Sequence, residues 1–264
     1  MFDTPRLLLG SLLLRPYVFA FLGAHLVGSS ALLGWRRTTA FTLITWGVAF
    51  AAEASSIRTG IPFGWYYYVP STASQELWIA GVPFFDSISF PFLLVSSYGL
   101  AWWLLSGPGD AASRARPGRT RHLLLATTLF VLADVVIDPV ALRGDRWFLG
   151  RIYGYPEPGL YFGIPVANFL GWGVVGFVAT GLYHAWERRY ADLPAIAFRG
   201  RAWICPGLYF GVLAFNLTIT FALQEWWLGL CGVLLALPVA AMSLRAGFAS
   251  KAFGVTPRGE GVAP

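Results

Sequence analysis

The sequence predicts an all-α, polytopic membrane protein with about seven transmembrane helices. Three observations predict it. The 264 residues are 56% hydrophobic and only 12% charged, with a mean hydropathy of +0.61, whereas a soluble domain carries about 25% charged residues. The apolar residues gather in stretches near 16–34, 38–57, 82–105, 121–142, 160–183, 202–222 and 225–247, each close to the roughly 20 residues that cross a bilayer as a helix. The basic residues fall in short clusters between these stretches. Of the 19 Lys and Arg, 13 follow stretches one, three, five and seven: Arg36 and Arg37; Arg114, Arg116, Arg119 and Arg121; Arg188, Arg189, Arg199 and Arg201; Arg245, Lys251 and Arg258. Cytoplasmic loops are the ones enriched in Lys and Arg, so the N-terminus is expected outside and the C-terminus in the cytoplasm.

The net charge of +6 therefore reads as membrane topology. It is not the continuous basic stripe of a nucleic-acid binder, and no nucleic-acid partner is expected. The apolar N-terminus could pass for a signal peptide, but its apolar stretch continues past Arg15 to Leu33 and the next stretch needs a topological partner, so it is read as a retained helix. Only Gln224 and Glu225 interrupt the last two stretches. Residues 1–248 form one transmembrane domain in this reading. The polar, Gly- and Pro-containing tail 249–264 is expected to be disordered in the cytoplasm. Cys205 and Cys231 form no CxxC pair and sit in apolar stretches, so they read as core residues.

The stretch LLLATTLFVLADVVIDPVAL, residues 123–142, carries Asp134 and Asp138 in a span of membrane length. An aspartate at a bilayer centre costs about 2.5–3.5 kcal/mol on insertion scales, so such residues mark function. At a spacing of four they share one helix face. Two carboxylates this close in a low dielectric do not both ionise, which leaves a neutral acid beside a charged partner. Pro139 removes the N–H that would pair with the Val135 carbonyl and disfavours helical geometry at Asp138, so the helix is expected to kink or end there. The competing structural account pairs Asp138 with Arg143 or Arg146.

The alternating helix directions place other polar residues at the same end. Glu53 lies late in stretch two, Asp86 early in stretch three, Asn168 about 13 Å into stretch five at 1.5 Å per residue, and Asn216 at similar depth in stretch six. Six polar residues from five helices thus share one slab, which predicts a polar pocket open to the extracytoplasmic side. Glu53 could instead pair with Arg58, Asp86 could be a capping acid, and Glu225 reads as interfacial.

PGLYFG occurs at 158–163 and again at 206–211, each followed five residues later by Asn. This echo suits an inverted repeat of a transporter, or simply two helix entries built from Pro, Gly and interfacial aromatics. GWGVVG at 171–176 matches GxGxxG, but no strand precedes it. Its glycines are expected to permit close helix packing. His25, His122 and His184 share no ligand spacing, so no metal site is expected. The 12 Trp, 11 Tyr and 21 Phe, among them WYYY at 65–68 and WW at 226–227, form interfacial belts or line a slot for a long apolar ligand, where they could stabilise a carbocation.

EASSIRTGIPFGWYYY (53–68), GVPFFDSISFPF (81–92), DVVIDPVAL (134–142) and WFLGRIYGYPEPGLYFGIPVANFLGW (147–172) together resemble the bacterial and archaeal carotenoid biosynthesis membrane proteins, over roughly residues 50–172. That family includes carotenoid 1′,2′-hydratases acting on acyclic ends, such as those of γ-carotene or the precursor of bacterioruberin. The resemblance implies an integral protein of a bacterial or archaeal cell membrane. It implies a carotenoid substrate and a lipid surround, with other enzymes of carotenoid biosynthesis as candidate partners. Adding water to a terminal trisubstituted alkene proceeds through a tertiary cation. It needs a neutral acid, a dry slot and a base that orients water, and no cofactor. A carboxyl kept neutral by burial suits the acid.

The expected catalytic residues are Asp134 as acid, Asp138 as its charged partner or the base, and Glu53 and Asp86. The expected substrate- and water-binding residues are Asn168, Asn216, Trp65, Tyr66, Tyr161 and Trp172. Two other activities fit the same features. A lycopene-type cyclase shares the first protonation, but its PxE(E/D) signature is not matched by Pro156-Glu157-Pro158. A transporter or lipid-binding protein would use the intramembrane acids as a relay.

Overall fold

A computed structural model of the chain describes residues 4–106, 118–190 and 200–253. Among these, seven helices are long and apolar enough to cross a membrane. A short helix α1 (Thr4–Leu14) leads through Arg15 into α2 (Pro16–Leu33), with Pro16 in the first turn, where its missing N–H costs nothing. Helix α3 (Trp35–Thr59) ends on Gly60, whose φ of 77° supplies the left-handed C-cap. A single turn α4 (Phe84–Ser87) opens the third span and continues into α5 (Ser89–Leu105). Helices α6 (Arg119–Ala141), α7 (Val166–Arg188), α8 (Ile204–Ala222) and α9 (Trp226–Phe253) complete the chain order.

Helix α5 is apolar on every side, and every residue from Phe90 to Trp103 is buried. A helix hydrophobic all round belongs in the middle of a bundle, and α2, α3, α6, α8 and α9 pack around it. Helix α7 closes the bundle against α3 and α6. Gly171 lets it approach: a Cβ there would stand 2.8 Å from Phe63 Cα in the loop after α3. Gly176 meets Phe130 of α6 in the same way. Two of the three GxGxxG glycines thus serve packing.

The loops at the end of the bundle where α3 stops and α5 starts carry small paired strands. Strand β1 (Tyr67–Tyr68) lies antiparallel to β4 (Tyr153–Gly154), with Tyr68 opposite Tyr153. Strands β2 (Trp78–Ile79) and β3 (Val82–Pro83) form a tight hairpin that delivers the chain into α4. The β1–β4 pair joins loops 85 and more residues apart in sequence and roofs this end of the helix bundle.

Two sequence expectations are corrected. The fifth span starts at Val166 and not at 160, so Asn168 sits in its first turn and not 13 Å along it. Residues 158–163 form a turn with bridges from Gly159 to Gly163 and Tyr161 to Ile164, whereas 206–211 lie inside α8. The PGLYFG echo therefore takes two different conformations. Helix α9 continues to Phe253. The rest of the expected tail, 254–264, lies outside the described residues, as do Arg114, Arg116 and Arg199 of the basic clusters.

Candidate active site

Up-and-down helices bring the late part of α3, the start of α5 and the late part of α6 to one end of the bundle, together with the start of α7. This end holds a polar chamber of about 50 Å³, walled by Glu53, Asp86, Asp138 and Asn168 with Tyr66, Tyr68, Tyr153 and Tyr155. That exceeds the ~10–15 Å³ one water needs on this measure.

One wall is built on α6. Pro139 lies in its last turn, and the helix stops two residues later as the missing N–H requires. Asp138 accepts hydrogen bonds from Tyr153 (3.0 Å), Asn168 (2.7 Å) and Tyr155 (3.3 Å), and Tyr153 also reaches the Asp138 carbonyl at 3.1 Å. Three donors on one carboxyl suit its ionised, acceptor-only form. Asp134, one turn deeper, accepts from the same Asn168 amide at 3.0 Å. Its Oδ1 is buried without a partner among the described residues, an arrangement that suits a neutral carboxyl. Asp134 is fully buried and borders neither chamber of the site.

The facing wall is built on the late part of α3, the loop after it and α4. The Tyr68 hydroxyl stands 2.8 Å from Glu53 Oε1 and 2.6 Å from Asp86 Oδ2. Burial, and then the neighbouring Asp86 and Glu53, push the Tyr68 phenol well above its ordinary range. Burial and the Asp138 carboxylate do the same to Tyr153 and Tyr155. All three remain proton donors at neutral pH.

A second chamber of about 120 Å³ adjoins the first and is apolar. Tyr17 and Phe21 of α2, Phe92 of α5 and Phe215 of α8 line it, with ring centroids 5.6–6.3 Å apart. Asp86, Asp138, Tyr153 and Trp172 border both chambers. Trp172 stacks on Phe90 at 4.4 Å with 16° between the planes, and Phe130 supports it at 4.7 Å.

The structure therefore brings together Glu53, Asp86, Asp138, Asn168, Tyr66 and Trp172, with Asp134 behind them. Asn216 borders the apolar chamber while its amide donates to the Val212 carbonyl at 2.9 Å. Trp65 stands apart, 58% exposed, beside Pro156 and Pro158. Tyr161 packs on Phe162 and Phe169 away from the chambers. Arg58 bonds the Ala54 and Ala80 carbonyls, leaving Glu53 to Tyr68. Arg143 and Arg146 bond Glu225, leaving Asp138 to its tyrosines. The residues that sequence reasoning did not assign are Tyr68, Tyr153 and Tyr155. Their signal was the tyrosine clustering in YYY and YGY.

Fold and site define a polytopic helical membrane protein with a carboxylate-walled chamber opening on an apolar one. A family model described as "Carotenoid biosynthesis protein" matches residues 7–239, and the chain belongs to that family. The bisanhydrobacterioruberin hydratase of Haloarcula japonica is similar, 31% identical over 161 residues, which are 59% of this chain and 48% of that protein. The chain thus spans about half the length of this curated relative. No solved structure matches the chain.

Proposed function

We propose that the protein is a carotenoid hydratase that adds water across the terminal double bond of an acyclic carotenoid end. One observation carries the reading. An apolar chamber and a polar one share a wall made of two carboxylates, Asp86 and Asp138, and an aromatic face, Trp172. A branched alkene end held in the first would meet both acid and water at that wall.

In this reading Asp86, in its protonated form, gives a proton to the less substituted alkene carbon. The tertiary cation forms against the stacked Trp172 face, which attracts positive charge. A water in the polar chamber, oriented by Asp138 and Asn168, attacks the cation and passes a proton to Asp138. That proton returns through chamber water to the facing wall, so acid and base are both regenerated. Asp134 was expected to be the acid. Its burial behind Asn168 favours a different part, holding the Asn168 amide toward Asp138. The hydratase named above supports hydration over cyclisation. The Lys and Arg distribution supports placing the chambers at the extracytoplasmic end.

The test is to express the chain in bacteria engineered to make lycopene, γ-carotene or the acyclic precursor of bacterioruberin, and to analyse pigments by chromatography with mass detection. A more polar product heavier by one or two waters is expected. An isomer of unchanged mass would make the protein a cyclase. Unchanged pigments in all hosts, with the protein present in the membrane, would overturn the enzymatic reading.

A further inference from the structure

The Tyr68 hydroxyl has a single proton, yet two carboxyl oxygens stand within hydrogen-bond distance of it. It can donate to only one of them. The other contact is a hydrogen bond only if that carboxyl carries a proton and donates to the phenol oxygen. The shorter contact, 2.6 Å to Asp86 Oδ2, is in the range of an O–H donor on a charged carboxylate. The longer, 2.8 Å to Glu53 Oε1, is in the neutral O–H···O range. Glu53 is 2% exposed, and its Oε2 has no partner among the described residues, a setting far costlier for a carboxylate than for a carboxylic acid. Arg15 forms an ion pair with Glu76 at 3.5 Å and lies over the Phe85 ring, and Arg58 bonds the Ala54 and Ala80 carbonyls. Tyr66 reaches Tyr68 at 3.4 Å.

We infer that Glu53 is a proton store and Tyr68 the relay that passes its proton to Asp86. Glu53 gives its proton to the phenol oxygen while the phenol gives its own to Asp86, so no phenolate accumulates. Of Glu53, Tyr68 and Asp86, only Asp86 borders the apolar chamber, so delivery and storage fall on different residues. Resting on the hydratase reading, this makes Tyr68 a positioning residue that loads the acid.

The test uses the full chain in lipid nanodiscs and infrared spectroscopy of carboxyl C=O stretches at neutral pH. Wild type is expected to show a protonated-carboxyl band that Glu53→Gln removes, Asp86→Asn retains and Tyr68→Phe moves to higher frequency. Separately, Tyr68→Phe is expected to lower kcat for hydration about 10²-fold, within the range of general acid–base effects, with KM unchanged. A spectrum that Glu53→Gln leaves unaltered would overturn the assignment, as would a Glu53-dependent band that Tyr68→Phe leaves in place. If wild type hydrates nothing, the hydratase reading fails, while the spectra still decide where the proton sits.

Discussion

The Asn168 amide donates to Asp138 at 2.7 Å across the junction of α6 and α7. Its second hydrogen serves Asp134 at 3.0 Å. One side chain thus donates to both buried carboxyls. Asn168→Ala removes the donor to Asp134 and leaves Asp138 with only Tyr153 and Tyr155, and a buried polar group losing its partner costs about 1–3 kcal/mol. The variant is expected to melt at lower temperature in detergent than wild type. Asn168→Asp, which adds a third acid, is expected to be less stable still. Equal melting temperatures for all three proteins would mean that the amide bridge contributes nothing.

Asp138 and Asp134 are separable by mutation. Asp138 borders both chambers and takes three donors, whereas Asp134 lies behind. As the base, Asp138 is worth about 10²–10⁴-fold in rate. Asp138→Asn is expected to lose hydrated product by that factor. Asp134→Asn keeps the volume and a polar partner for Asn168, and is expected to lose less. Product yield in a carotenoid-making host decides it. A larger loss for Asp134→Asn would move the proton chemistry one turn deeper.

Trp172 meets both chambers with its ring braced on Phe90 and Phe130. A desolvated cation–π contact is worth about 2 kcal/mol, and each 1.36 kcal/mol is tenfold in rate. Trp172→Leu keeps the site apolar but removes the π face, and is expected to lower kcat by about 10-fold or more. Trp172→Phe is expected to recover part of the loss. Equal rates for Leu and Phe would show that the ring only fills space.

The spans were legible because lipid demands some 20 apolar residues per helix. The shared slab of Glu53, Asp86, Asp134, Asp138, Asn168 and Asn216 followed from alternating helix direction. The tyrosines were not legible as ligands of these acids. Tyr68 and Tyr153 meet through two-residue strands, too short for any periodicity. Residues 160–165 read as helix because they are apolar. Yet Phe162 and Gly163 take φ of 50° and 95°, which turn the chain, and a Cβ at Gly159 would strike the Ile164 backbone at 2.0 Å. Proximity in sequence suggested Arg143 or Arg146 for Asp138. The end of α6 turns Asp138 inward, while both arginines reach across to the α8–α9 turn.

That turn gives a prediction about pH. Glu225 pairs with Arg143 at 2.9 Å and with Arg146, and Arg146 also donates to the Leu223 carbonyl at 2.6 Å. Partial burial alone would raise the Glu225 carboxyl, but the hydrogen bonds and charges of the two arginines outweigh it and hold it below its ordinary value. A carboxyl lowered in the folded state binds its proton more readily when unfolded. Its stabilisation is therefore full above about 4.5, the ordinary value, and is lost as pH falls below that. The pair is partly exposed, so the effect is modest and screened by salt. Wild type is expected to lose thermal stability on acidification through this window by more than Glu225→Gln does, and by less in high salt. Parallel melting curves for the two proteins across the window would show that the clasp between the α6 end and the α8–α9 turn does not depend on this charge.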